Sequence, residues 1–151
     1  MLMKRPQSFW DGYFMTIAKA ASEASKDPRT KLGAVIVRQD RSIASTGYNG
    51  FPRGIADLPE RLEDKKTKYA YVVHGELNAI LTAREPLHGY TLYTWPLATC
   101  SDCAKLVIKA GIKLVVAPVL DEERQHWSDS MRLAASMYDE AGVDFKLIQY
   151  G

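Results

Sequence analysis

Residues 32–48, LGAVIVRQDRSIASTGY, hold two apolar runs of small and β-branched residues on either side of a polar Gln39-Asp40-Arg41 turn. Residues 32–38 and 42–48 are therefore predicted to be two strands joined as a hairpin. Upstream, Ser8 stands as the prospective N-cap of a helix reaching about Lys26. Trp10, Tyr13, Phe14, Ile17 and Ala21 give that helix one buried stripe, and the Asp27-Pro28 step ends it. Downstream, residues 49–68 carry Gly50, Pro52, Gly54, Pro59 and many charges, and read as a long functional or mobile connection. Beyond it come a helix over 75–83, a strand over 91–95 and a helix over 102–109 closed by Gly111. The apolar run 112–117 reads as a buried strand. Trp127, Met131, Ala134, Ala135 and Tyr138 mark the core face of a last helix, which Gly142 ends before a strand through Phe145 and Leu147. A hairpin followed by alternating helices and strands predicts an α/β sandwich, a mixed sheet with helices on both faces.

The 151 residues are enough for one domain, 1–151, with no repeat or linker to divide it. A net charge of +2, from 20 Lys+Arg against 18 Asp+Glu, argues against a polynucleotide partner. The cluster Lys65, Lys66 and Lys68 has Glu63 and Asp64 beside it and reads as a solvated loop. No apolar run approaches the ~18 residues of a membrane span. Two cysteines and no secretory signal fit a reduced, cytoplasmic protein. The balance points to a small-molecule substrate.

The chemistry concentrates at two predicted helix starts. His74 opens one, and Cys100 and Cys103 flank the other. A Cys-x-x-Cys at a helix start turns both sulfurs toward one centre, and the free N–H groups there favour thiolates. The pair alone could be a redox couple or half of a structural zinc site, but a redox pair would be expected near the first helix of a βαβ unit. One imidazole added to two thiolates makes three protein ligands, where a closed zinc site uses four. The remaining position admits water, whose pKa zinc lowers toward ~7. Glu76, two residues past His74, can face that water without ligating, as the proton carrier of a hydrolysis.

With these motifs in hand, the chain resembles the cytidine and deoxycytidylate deaminase superfamily, and most of all its dCMP branch. The resemblance rests on LGAVIV at 32–37, GYNGFP at 47–52, YAYVVHGELNAI at 69–80, CSDCAK at 100–105 and AGI at 110–112. It implies a three-layer α/β/α fold with a mixed five-stranded sheet, one catalytic zinc per subunit and a homo-oligomer, often a hexamer. It also implies that Asn49 contacts the sugar or phosphate of the substrate, with Arg29 as the phosphate candidate. Three departures fall in the expected base pocket. Gly75 replaces an alanine, Thr99 replaces the proline before the first cysteine, and the segment 93–100 is one residue longer. The implied reaction is hydrolysis of dCMP to dUMP and ammonia. Alternatives are deamination of a 5-substituted dCMP, with Gly75 making room for the substituent, or of cytidine. An inactive zinc-bearing nucleotide sensor is a further one, against which the presence of Glu76 speaks.

Overall fold

Every residue of β1 (Gly33–Val37) is buried, because this strand lies inside the sheet with helices on both sides. Its alternating side chains divide between two cores. Ala34 and Ile36 pack with Leu92, Val107, Val115 and Tyr138, whereas Val35 and Val37 pack with Phe14, Met15 and Ala18. In this computed structural model, which describes residues 3–119 and 128–150, β1 pairs antiparallel with both β2 (Ile43–Tyr48) and β3 (Thr91–Trp95). β4 (Leu114–Pro118) and β5 (Asp144–Ile148) extend the sheet in parallel, in the order β2-β1-β3-β4-β5.

One face is covered by α1 (Gln7–Ser22), the other by α4 (Gly75–Ala83), α5 (Ser101–Lys109) and α6 (Asp129–Ala141). The result is the expected three-layer α/β/α arrangement around a mixed five-stranded sheet. The connection 49–68, read from sequence as an irregular segment, contains α2 (Pro59–Glu63) and runs into α3 (Lys65–Tyr71).

The first helix differs from its sequence reading in two ways. It starts after Pro6 rather than at Ser8, and ends at Ser22, where 23–25 turn back through i to i−3 bonds. Its buried face runs through Asp11, Phe14, Met15, Ala18 and Ser22, while Tyr13 is exposed. The stripe is rotated because Asp11 is an interior residue. Its carboxylate accepts hydrogen bonds from Tyr93 Oη at 2.7 Å and Lys146 Nζ at 2.6 Å. Trp127, expected on the core face of the last helix, lies outside the described residues.

Two glycines set the distance between layers. A Cβ on Gly33 would strike the Ala18 carbonyl of α1, and one on Gly47 would strike the Gly75 carbonyl and the Ala79 amide of α4. Gly47→Ala is expected to destabilise the protein by about 1–3 kcal/mol or more, the usual range for overpacking a close contact. Denaturant unfolding measures this, with Gly12→Ala, where an added Cβ meets nothing within 4 Å, as the control.

Candidate active site

Helices α4 and α5 both begin at residues that leave their capping function unused. His74 and Cys100 occupy the N-cap positions with extended backbones, and their carbonyls accept the first helical bonds, from Asn78 and Ala104. Neither side chain makes a capping hydrogen bond. They turn toward each other instead. His74 Nδ1 lies 3.1 Å from Cys103 Sγ and 3.5 Å from Cys100 Sγ, and the three donor atoms fall within 4.8 Å of one another. Among the described residues this is the one such group of three. Two sulfurs and an imidazole suit zinc and exclude the oxygen-seeking magnesium and calcium.

The approach of the chain to His74 is fixed from both sides. Val73 and Gly50 exchange backbone hydrogen bonds of 2.8 and 3.1 Å, and Asn78 Nδ2 donates to the carbonyls of Tyr48 and Val73. The electrostatics follow from burial beside helix starts. Hydrogen bonding with Cys103, then with His74, pulls the Cys100 thiol down to about 4, whereas its bond to Cys100 and its burial push Cys103 up. A bound cation would favour the thiolate form of both. Glu76, in the first turn of α4, is 4% exposed, and burial raises its carboxyl above the ordinary range.

His74 opens on a cavity of about 200 Å³ that Leu32, Asn49, Leu97 and the pair Asp27 and Lys68 also line. Asn49 is buried and bonded to main chain. Its Oδ1 accepts from Leu32 N at 2.8 Å, and its Nδ2 donates to Thr30 O at 3.0 Å. Arg29 is exposed and does not line this cavity, although its neighbour Thr30 does. Gly75 does not line it either. A Cβ there would lie 3.4 Å from Leu32 O and Tyr48 Cα, so its missing methyl faces main chain.

The cavity holds a pair that the sequence reading passed over. Lys68, taken as part of a solvated cluster, is 7% exposed and lies 3.1 Å from Asp27 Oδ2. Its neighbours Lys65 and Lys66 are exposed, and only the turn of α3 inward separates Lys68 from them. Asp27 also receives the amides of Arg29 and Thr30 at 2.8 and 3.1 Å. That Asp-x-x turn was the available signal, since an aspartate before a proline commonly caps its own loop. Burial alone would raise Asp27, but the two amides and Lys68 outweigh it, and its pKa is lowered.

Comparison with known proteins gives one family. A profile described as the cytidine and deoxycytidylate deaminase zinc-binding region matches residues 8–118. The chain is 41% identical over 143 residues to the deoxycytidylate deaminase of Homo sapiens, covering 91% of this chain and 78% of that one. It is 40% identical over 129 residues to the deoxycytidylate deaminase of Mycobacterium phage D29, covering 77% of this chain and 98% of the phage protein. The fold is that of the dCMP deaminase of cyanophage S-TIM5 solved with dCMP and dUMP, at TM-score 0.72 and 24% identity over 97% of this chain and all (100%) of that one.

Lys68→Met should lower stability by about 3–5 kcal/mol, because it strands a buried carboxylate. Lys105→Met, which breaks an exposed pair with Asp102, should stay within ~1 kcal/mol. The pH dependence has a definite sign. A lowered carboxylate contributes stability fully above its unfolded value of about 4 and loses it as pH falls through the folded value. The stability gap between wild type and Lys68→Met should therefore be full at neutral pH and shrink as pH falls and Asp27 is protonated, as read from urea unfolding at a series of pH values.

Proposed function

The chain belongs to the cytidine and deoxycytidylate deaminase family, and on that premise we propose that it hydrolyses dCMP to dUMP and ammonia. The observation that carries this reading is the convergence of His74, Cys100 and Cys103 beside the buried carboxyl of Glu76, with His74 also lining a cavity of about 200 Å³. The strong likeness to deoxycytidylate deaminases over most of the chain supports the choice of substrate. Zinc is the cofactor, and the donor set fits it: His74, Cys100 and Cys103 would hold the ion with three protein ligands, one fewer than a closed structural site uses. When bound, the metal supplies the Lewis acidity that brings water's pKa toward ~7.

The protein's own part in the reaction is proton handling and placement. Glu76 takes a proton from the attacking water as the new C4–O bond forms, and delivers it to N3 of the pyrimidine. The C4–N bond then breaks, with the second water proton carried by the same carboxylate to the departing amine, so that water and dCMP balance dUMP and ammonia. Burial suits Glu76 to this, because apolar enclosure raises its carboxyl and makes it a readier proton acceptor than an exposed carboxylate. Asn49 presents a carboxamide already oriented by main chain to the sugar side of the cavity. Arg29, on the exposed loop beside Thr30, is the candidate for the phosphate.

Self-association belongs to the same reading, as a hexamer. It is supported by Leu81 and Leu106, 72% and 43% exposed on the outer sides of α4 and α5. Sedimentation velocity reads the subunit number. No helix among the described residues is long and apolar enough to cross a membrane. Two thiols kept as metal ligands suit the reducing cytoplasm.

Glu76→Gln should keep its zinc, measured by elemental analysis, and lose at least ~10²-fold in kcat. Chelation of wild-type protein should abolish ammonia release from dCMP and zinc should restore it, whereas Cys103→Ser should be beyond rescue. Arg29→Ala should raise KM for dCMP roughly ten- to a hundredfold with little change in kcat, as expected for loss of a charge-assisted hydrogen bond. Turnover of deoxycytidine, which lacks the phosphate, should be poor and indifferent to that change. Equal turnover of dCMP and deoxycytidine by wild type would transfer the assignment to a nucleoside.

A further inference from the structure

Cys100 stands at the start of α5 with its sulfur committed to the ligand cluster, so the first free amide of that helix needs another partner. It finds one on a different helix. Ser101 N donates to Ser130 Oγ of α6 at 2.9 Å, and the Ser101 and Ser130 hydroxyls are also 2.9 Å apart. On the other side of Cys100, Thr99 is 1% exposed, and its hydroxyl lies 2.6 Å from the hydroxyl of Tyr138, which is fully buried in α6. Ser130, Ala134 and Tyr138 recur every fourth residue, so a single face of α6 reaches the residues before and after Cys100. Thr99 stands where the resemblance expects proline, whose ring would restrain the backbone unaided. Threonine lacks that restraint and gains one through its hydroxyl.

We infer that Ser130 and Tyr138 are positioning residues, a two-point clamp from α6 on residues 99 and 101 that holds Cys100 in ligand geometry. The inference rests on the zinc-centre reading given above. Its physical basis is that ligand groups are held by their surroundings as well as by the metal, and loosening those surroundings typically weakens metal binding about 10- to 100-fold. The Thr99–Tyr138 bond is well placed for this, because neither buried hydroxyl has water as an alternative partner, and deleting one strands the other. Burial also raises the Tyr138 phenol, keeping it un-ionised.

The test compares zinc-loaded and chelator-stripped protein for wild type, Tyr138→Phe, Thr99→Val, the combined variant, Thr99→Ser and Ser130→Ala. Two quantities are read: the rate at which a chromophoric chelator withdraws zinc, and the gap in Tm between loaded and stripped forms. Tyr138→Phe and Thr99→Val should each speed zinc loss about tenfold or more and narrow the Tm gap. Their combination should do no more than either alone, since both remove the same bond. Thr99→Ser keeps the hydroxyl and should match wild type, whereas Ser130→Ala should speed zinc loss from the other side of Cys100. Equal lowering of both melting temperatures, with an unchanged gap and unchanged zinc loss, would show a merely structural contact and overturn the proposal. Should Tyr138→Phe not fold, the partly exposed Ser130 carries the same comparison. Wild-type protein that takes up no zinc would overturn the metal-centre reading and this inference with it, an outcome distinct from zinc bound equally well by every variant.

Discussion

Helix α4 and strand β2 meet main chain to main chain, because Gly47 places no side chain between them. The rest of the site depends on that contact. It sets the first turn of α4, with His74 and Glu76, directly against the end of β2, where Asn49 turns inward. Asn78 then reaches across to the Tyr48 carbonyl at 2.7 Å, and Gly50 pairs with Val73. A separation larger by one methyl group would leave these short bonds unmade and move the imidazole relative to the two sulfurs on α5. Gly33 imposes the same closeness on α1 across the other face of the sheet.

The features legible in the sequence are those whose cause is local. Apolar runs bounded by turns located the strands, with β3 found at its observed limits, Thr91–Trp95. The two motifs mark the three donor side chains that converge and a buried carboxyl, because helix starts and short spacings carry their own geometry. What escaped depends on partners far along the chain. Asp11 reads as a polar interruption of α1 until Lys146, 135 positions away, arrives to pair with it. Lys68 looks like its neighbours until α3 turns it toward Asp27. Gly75 stands out in the sequence by its place beside His74, whereas the tight packing belongs to Gly33 and Gly47. Periodicity placed Tyr138 in the core but says nothing of its hydroxyl, which meets Thr99 across the helix layer.

Within the site, one environment moves two kinds of acid in opposite directions. Hydrogen bonds beside the start of α5 favour charge on Cys100, while apolar enclosure disfavours it on Glu76. Cys103 follows Glu76 in this, because its bond to Cys100 and its burial disfavour the charged form. The Asp27–Lys68 pair lines the same cavity and is balanced by itself, so it shapes the wall without a net charge.

The ligand set also has a meaning for the chain as a polymer. His74 and Cys100 are 26 positions apart, and the segment between them contains α4 and the inner strand β3. A metal shared by the two ends closes that segment into a ring. In the chain-entropy picture, a covalent closure of this size removes about 3.5 kcal/mol of freedom from the unfolded ensemble. A labile metal clip acts in the same direction for as long as it is occupied. On the proposed ligand set, the ion would serve as a reversible cross-link in a protein whose two cysteines are both free, and the persistence of the fold would be tied to the supply of the metal.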